Sequence, residues 1–229
     1  MKRPDMWHEF TSREHYVDAL VRDISATLKQ AVADSGRAGL AVSGGRSPIA
    51  LFKALSRSDL PWPAIDIVLV DERFVAPGHA DSNERLVREN LLQHQASAAR
   101  FTGLVSHPGD LQSSLAHANG QRAALSLVLL GMGDDGHTAS LFPGAPQLAQ
   151  ALDRQQMQRY MHLSPVGAPH ERISMTLAAL LGAGRIMIAI AGQAKRQVLA
   201  QAAKRPDPAL PISYVITQTE VPTDVYWHD

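Results

Sequence analysis

Short apolar runs separated by segments of helical periodicity constrain this chain most. Residues 125–130 (LSLVLL) form the strongest such run, and 39–43 (GLAVS), 65–70 (IDIVLV) and 185–191 (RIMIAIA) repeat the pattern. Strands apolar along their whole length are covered on both faces, and strands that alternate with helices build a parallel sheet. The chain is therefore read as α/β: a Rossmann-like, mostly parallel sheet with helices on both faces. No linker, repeat or low-complexity stretch divides its 229 residues, so a single domain over 1–229 is expected. In such sheets ligands bind beyond the carboxyl ends of the strands, and chemistry is sought there.

Between the strands, Val17, Leu20, Val21, Ile24, Leu28 and Val32 recur at helical spacing, with Thr11 or Ser12 placed to cap the helix and Gly36 to end it. Ser47 followed by Pro48 predicts a second helix start, with Ser47 as the cap. Further helices are expected at 83–92, 111–119, 138–142, 176–181 and 194–203. Weaker strands are expected near 104–105, 160–163, 214–216 and 225–227, and a loop at 206–208.

Charge and composition exclude several functions. Lys and Arg total 22, and Asp and Glu total 22. A protein held to nucleic acid through phosphates shows a basic excess or stretch. The nearest candidate, Lys195-Arg196 with Lys204-Arg205, is short, so no nucleic-acid partner is expected. The absence of cysteine excludes disulfides, thiol nucleophiles and Cys-type metal sites, and fits a reducing compartment. Met1 to Phe10 is polar and unlike a signal peptide, and no apolar run approaches the roughly 20 residues of a spanning helix. A cytoplasmic protein with no membrane partner is expected.

Three strand ends carry candidate chemistry. The first is Ser43-Gly44-Gly45-Arg46-Ser47-Pro48. Two glycines free the backbone, and a helix N-terminus behind them offers N–H groups to a phosphate or carboxylate. The Gly-Lys-Ser/Thr ending of a Walker loop is missing. The second is Asp71-Glu72-Arg73, whose carboxylates are expected to face the crevice and whose arginine can pair with one of them or with an anionic substrate. A solvated salt-bridge cluster is the plainer reading of those three.

The third end is Gly131-Met132-Gly133-Asp134-Asp135-Gly136-His137-Thr138. It spells the dinucleotide pattern G-x-G-x-x-G, but Asp134 and Asp135 would lie where a pyrophosphate sits, and Pro143 ends the following segment too soon. A carboxylate one glycine away from an imidazole fits better. Asp135 would fix the tautomer of His137 and raise its basicity, making a general base for neutral pH. Arg172 and Lys195, each near a strand or helix end, make a joint anion site. His162 and His170 have no third partner at ligand spacing, so no metal site is expected. No Gly-x-Ser-x-Gly elbow is present.

With residues 131–143 (GMGDDGHTASLFP), these segments resemble the 6-phosphogluconolactonases of the glucosamine-6-phosphate isomerase/6-phosphogluconolactonase family. Val70-Asp71-Glu72-Arg73-Phe74-Val75 with Asp81-Ser82-Asn83, Arg172 to Thr176, and Gly192-Gln193-Ala194-Lys195 fit the same order, from about residue 40 to 200. Asp134 departs from the expected pattern. The resemblance implies a Rossmann-like fold, a sugar-phosphate lactone as substrate, and no metal or organic cofactor. It implies hydrolysis of 6-phospho-D-glucono-1,5-lactone to 6-phosphogluconate, the second step of the oxidative pentose phosphate pathway. His137 would take a proton from water and Asp135 would orient it. Arg73 would stabilise the oxyanion or anchor the sugar, and Asp71 would hold sugar hydroxyls or Arg73. The phosphate would sit on Ser43, Gly44 and Gly45, with Arg172 and Lys195 closing on it.

Two rivals were weighed. The related deaminase carries a Phe-Asn-Glu-Pro continuation whose glutamate tunes the ring-opening histidine, and Phe142 stands at that position here. A non-catalytic sugar-phosphate sensor would tolerate loss of the base, yet His137 and Asp135 are present, and the stretch before residue 12 is too short for an added partner segment. A monomer or homodimer is expected.

Overall fold

The computed structural model describes residues 7–121 and 123–229. The strands are β1 (Trp7–Phe10), β2 (Ala38–Val42), β3 (Ile65–Leu69), β4 (Asp71–Arg73), β5 (Arg100–Thr102), β6 (Leu127–Leu130), β7 (Tyr160–Leu163), β8 (Arg172–Met175), β9 (Ile186–Ala191) and β10 (Thr223–His228). The helices are α1 (Arg13–Ser35), α2 (Ile49–Leu55), α3 (Asn83–Asn90), α4 (Leu111–Gly120), α5 (Leu148–Ala151), α6 (Leu177–Leu181), α7 (Gln193–Ala202) and α8 (Ser213–Ile216). Seven strands form a parallel sheet in the order β1-β10-β9-β6-β2-β3-β5. Every residue of β2 and of β6 is buried, as expected of strands covered on both faces.

The chain leaves β2 for β3 and then β5 on one side, and returns to β6 on the other. The carboxyl ends of β2 and β6 therefore flank the point where strand order reverses, the place where α/β sheets bind ligands. The Ser43 N–H donates to the Leu129 carbonyl at 3.1 Å across that point, which ties the two ends together.

Helix α1 follows the expected pattern. The Ser12 hydroxyl accepts from the His15 N–H at 3.2 Å, and Gly36 closes the helix at φ 76°. Tyr16, Leu20, Ile24 and Leu28 form its buried stripe. Among the described residues no helix is long and apolar enough to cross a membrane.

Several local expectations are corrected. Residues 214–216 belong to α8, not to a strand. Ile212, Val215 and Ile216 are all buried, a helical i, i+3, i+4 spacing that a three-residue apolar run cannot reveal. Residues 138–142 form a turn, not a helix: Thr138 bridges Leu141, and Ala139 lies at φ 51°, outside the helical region. Ser47 does not cap α2. Pro48 holds that position without a side-chain bond. Leu104 and Val105 are buried but unpaired in the sheet, and the edge strand is Arg100–Thr102 instead. The polar N-terminal stretch contains β1, paired with β10 at the sheet edge, while residues 1–6 of that stretch lie outside the described residues.

The largest addition is a second sheet, in the order β4-β8-β7 and antiparallel throughout. Sequence spacing presents its parts separately, as a strand end at 71–73, a strand near 160–163 and a cation, Arg172, near a strand or helix end. The Val70 N–H donates to the Val42 carbonyl, and the Val70 carbonyl accepts from the Met175 N–H. The chain thus passes from the central sheet into the second one within a single residue.

Candidate active site

A cleft of about 470 Å³ opens at the reversal point between β2 and β6. The turn after β2, Asp71 and Arg73 of β4, Gly131 to Gly133 and His137 after β6, and Lys195 at the start of α7 all line it. Of the residues singled out in the sequence, Ser43, Gly44, Gly45, Asp71, Arg73, His137 and Lys195 meet there.

Asp135 and His137 form the expected pair. The Asp135 Oδ1 lies 2.5 Å from His137 Nδ1 and also accepts the His137 backbone N–H at 3.1 Å. One carboxylate oxygen thus holds both the ring and its own backbone, leaving Nε2 as the free nitrogen. Burial pushes the Asp135 carboxyl up, but the His137 N–H and the imidazole charge outweigh it and hold it below the usual carboxylate range. Asp135 stays ionised beside the ring.

The glycines of this loop have separate jobs. Gly133 donates its N–H to the His137 carbonyl at 2.9 Å. A Cβ on Gly133 would lie 2.2 Å from the imidazole and 2.6 Å from the Asp135 carboxylate. Gly136 turns the chain at φ 78° against Leu210, a conformation that favours glycine. Gly133→Ala is expected to retain the fold and lower kcat about 100-fold, because displacement of a catalytic group by about 1 Å costs that much. Circular dichroism and steady-state kinetics on one preparation check this.

Phe142 stacks on His137, with ring centroids 4.2 Å apart and 28° between planes. Behind it the Arg172 guanidinium lies 5.6 Å from the Phe142 centroid. Arg172 is buried, donates Nη2 to the Pro169 carbonyl at 3.0 Å, and does not line the cleft. Burial first, and then the like charge of Arg73, lower its proton affinity. Arg172 therefore lies beside Phe142 and outside the cleft lining, not over the Ser43–Gly45 turn as its strand-end position suggests. Its register partner in the second sheet is Arg73, which sequence spacing does not reveal.

Strand alternation sorts Asp71, Glu72 and Arg73. Successive side chains point to opposite faces, so Asp71 and Arg73 line the cleft and Glu72 does not. The expectation that both carboxylates face the crevice holds for Asp71 alone. Nor are they a solvated cluster, since Asp71 and Glu72 are buried. Asp71 Oδ2 accepts from the Ser140 hydroxyl at 2.6 Å. Arg73 donates Nη1 to the Asp81 carbonyl at 2.7 Å, and its Nε is buried without a protein partner.

The cationic end of the cleft holds more residues than sequence spacing indicates. Gly45 lies at φ 91°, opening the turn that presents Arg46. A Cβ on Gly44 would meet the Asn83 side-chain oxygen at 1.9 Å, so glycine is needed there for space. Arg13, Arg46 and His228 line the same cleft as Lys195. Arg46 stands inside the turn after β2, where the two glycines are the stronger sequence signal. Arg13 and His228 come from the two ends of the chain, and no local pattern marks them.

A parallel α/β protein with a glycine-rich turn, several cationic side chains and the histidine of an Asp–His pair lining one cleft is the class that fold and site define. The family model described as "Glucosamine-6-phosphate isomerases/6-phosphogluconolactonase" matches residues 11–227, and the chain belongs to that family. A 6-phosphogluconolactonase of Neisseria meningitidis is 41% identical over 230 residues, covering 97% of this chain and 98% of its own. One of Rhizobium meliloti is 40% identical over 225 residues, covering 96% and 97%. The crystal structure of a 6-phosphogluconolactonase from Shewanella baltica superposes with a TM-score of 0.92 at 35% identity, covering 100% of both chains.

Proposed function

We propose that the chain hydrolyses 6-phospho-D-glucono-1,5-lactone to 6-phospho-D-gluconate, the second step of the oxidative pentose phosphate pathway. The observation that carries this reading is the placement of the Asp135–His137 pair and the cationic glycine turn in one cleft. Near-full-length relatives that are 6-phosphogluconolactonases support the substrate class. The cysteine-free composition supports a cytoplasmic place. We assign this activity to one domain working as a monomer or homodimer.

In the proposed mechanism, His137 Nε2 takes a proton from water while Nδ1–H stays bonded to Asp135. The oxygen of that water forms a bond to the lactone carbonyl carbon, and the carbonyl oxygen becomes an oxyanion beside Arg73. A preorganised cation at that position is the usual source of oxyanion stabilisation. The intermediate collapses, the bond between the carbonyl carbon and the ring oxygen breaks, and the ring oxygen takes the proton from imidazolium. Histidine ends as it began, and the new carboxylic acid releases its remaining proton to solvent to become a carboxylate. Asp71 holds a sugar hydroxyl through its oxygen not engaged by Ser140. Ser43, Gly44 and Gly45 bind the phosphate with Lys195 and Arg46 closing over it, and Arg172 positions His137 through Phe142.

The deaminase reading lacks its acid–base group. The ring of Phe142, not a carboxylate, faces His137. Freshly generated lactone, followed by base titration with the spontaneous rate subtracted, tests the proposal. Hydrolysis well above the blank, with no deamination of glucosamine 6-phosphate, is expected. A rate equal to the blank overturns the reading. Lys195→Ala is expected to raise KM about tenfold or more with a smaller change in kcat, because a charged hydrogen bond to phosphate is worth about 1.5–3 kcal/mol.

A further inference from the structure

We propose that His79, Asp81 and His170 form a binding site for a divalent transition cation of the zinc type at the rim of the cleft. The three residues come from two separate loops. His79 and Asp81 lie between β4 and α3, and His170 lies just before β8. One ligand atom from each lies within 4.8 Å of the others. His170 Nε2 is 3.0 Å from Asp81 Oδ2, and His79 Nδ1 is 3.8 Å from the same oxygen. Ligands about 2.0–2.1 Å from a tetrahedral zinc sit about 3.3–3.4 Å apart, a spacing these two distances bracket.

His79 Nδ1 accepts the Asp81 backbone N–H at 3.1 Å, which holds the ring beside Asp81; a bound cation would take the place of that hydrogen. His170 itself lies at φ 70°, a left-handed backbone that few non-glycine residues adopt and that concentrates at functional sites. A plain His170–Asp81 ion pair needs no second imidazole, yet the His79 ring stands edge-on to His170 at 5.6 Å. Two nitrogens and one carboxylate suit zinc and exclude a preference for magnesium or calcium, which take oxygen ligands. Sequence spacing gives His170 no partner because Asp81 lies 89 positions away in the chain.

The place matters for the cleft. The Asp81 carbonyl accepts from Arg73 Nη1, so a cation on the Asp81 side chain would sit within one residue of the arginine that lines the cleft.

Titration calorimetry of the chelator-treated full chain with zinc chloride, in phosphate-free buffer, tests the site independently of any activity. Wild type is expected to bind one zinc ion and not to bind magnesium. His79→Gln, Asp81→Asn and His170→Asn are each expected to weaken zinc by about tenfold or more, the least that loss of a ligand should cost. Asparagine tolerates the left-handed backbone, so His170→Asn removes the ring without backbone strain, and His79→Gln covers failure of that variant to fold. His137→Ala is expected to leave zinc binding unchanged. No zinc binding by wild type, magnesium binding of equal strength, or zinc lost in His137→Ala but retained in the three rim variants overturns the proposal.

Discussion

Replacing His137 by alanine is expected to lower kcat for lactone hydrolysis by about 10²–10⁴-fold, the usual contribution of a positioned general base. KM should move little, because the residues proposed to hold the phosphate, the Ser43–Gly45 turn, Arg46 and Lys195, are other parts of the cleft lining. The variant should fold, since His137 is partly exposed and its backbone contacts to Gly133 and Asp135 do not need the ring. Asp135→Asn should lose less. It keeps the shape but replaces a carboxylate held in its ionised form by a neutral amide. The check is steady-state hydrolysis with the spontaneous rate subtracted, beside calorimetric binding of 6-phosphogluconate. Full activity in His137→Ala would remove the base and leave the proposed reaction without its proton acceptor. Loss of both activity and product binding would show a damaged cleft instead.

The parts of this site legible in the sequence are those where one strand end carries several functional groups together. The loop from Gly131 to Thr138 is such a case. The apolar run before it placed it at a sheet end, and Asp135 and His137 are close enough in sequence to meet whatever the rest of the chain does. The same holds for Ser43 to Gly45. Legibility fails where contacts depend on the second sheet. Asp71 to Arg73 reads as a loop because three polar residues give no strand signal. Only pairing with Arg172 to Ser174 makes them one. That pairing puts Arg172 behind Phe142 instead of over the phosphate turn, and it turns Glu72 away from the cleft. The same long-range packing brings His170 to Asp81 and brings Arg13 and His228 to the anion end. Helix α1, with its cap, its stripe and its terminal glycine in one stretch, shows the opposite case.

Glu72→Gln is expected to lower stability and to change its pH dependence, which separates this residue from its two neighbours in the cleft. Glu72 is buried, and its carboxylate accepts four hydrogen bonds. The Arg73 and Asn83 N–H groups reach Oε1 at 2.8 and 2.7 Å, and the Glu84 N–H and Ser82 hydroxyl reach Oε2 at 2.7 and 3.0 Å. It therefore receives the first N–H groups of α3, beside the Ser82 cap, and anchors β4 to that helix. Burial pushes the carboxyl up to about 7 from its ordinary 4.5, with the donors from Asn83, Glu84 and Arg73 pulling the other way. The unfolded chain thus gives up this proton near 4.5 and the folded chain near 7. Across that window the folded state binds more protons, so this residue's contribution to stability falls as pH rises, by about 3 kcal/mol in all. Glutamine cannot ionise and should abolish that part of the slope. Its amide nitrogen can face the Ser82 hydroxyl, but it leaves the Glu84 N–H without an acceptor, a loss of about 1–3 kcal/mol. Urea unfolding at pH 4.5, 6 and 8 reads both effects. The variant should be weaker than wild type at pH 4.5, with the gap narrowing or reversing by pH 8. A gap that widens with pH would mean that the four donors stabilise the ionised carboxylate more than burial penalises it.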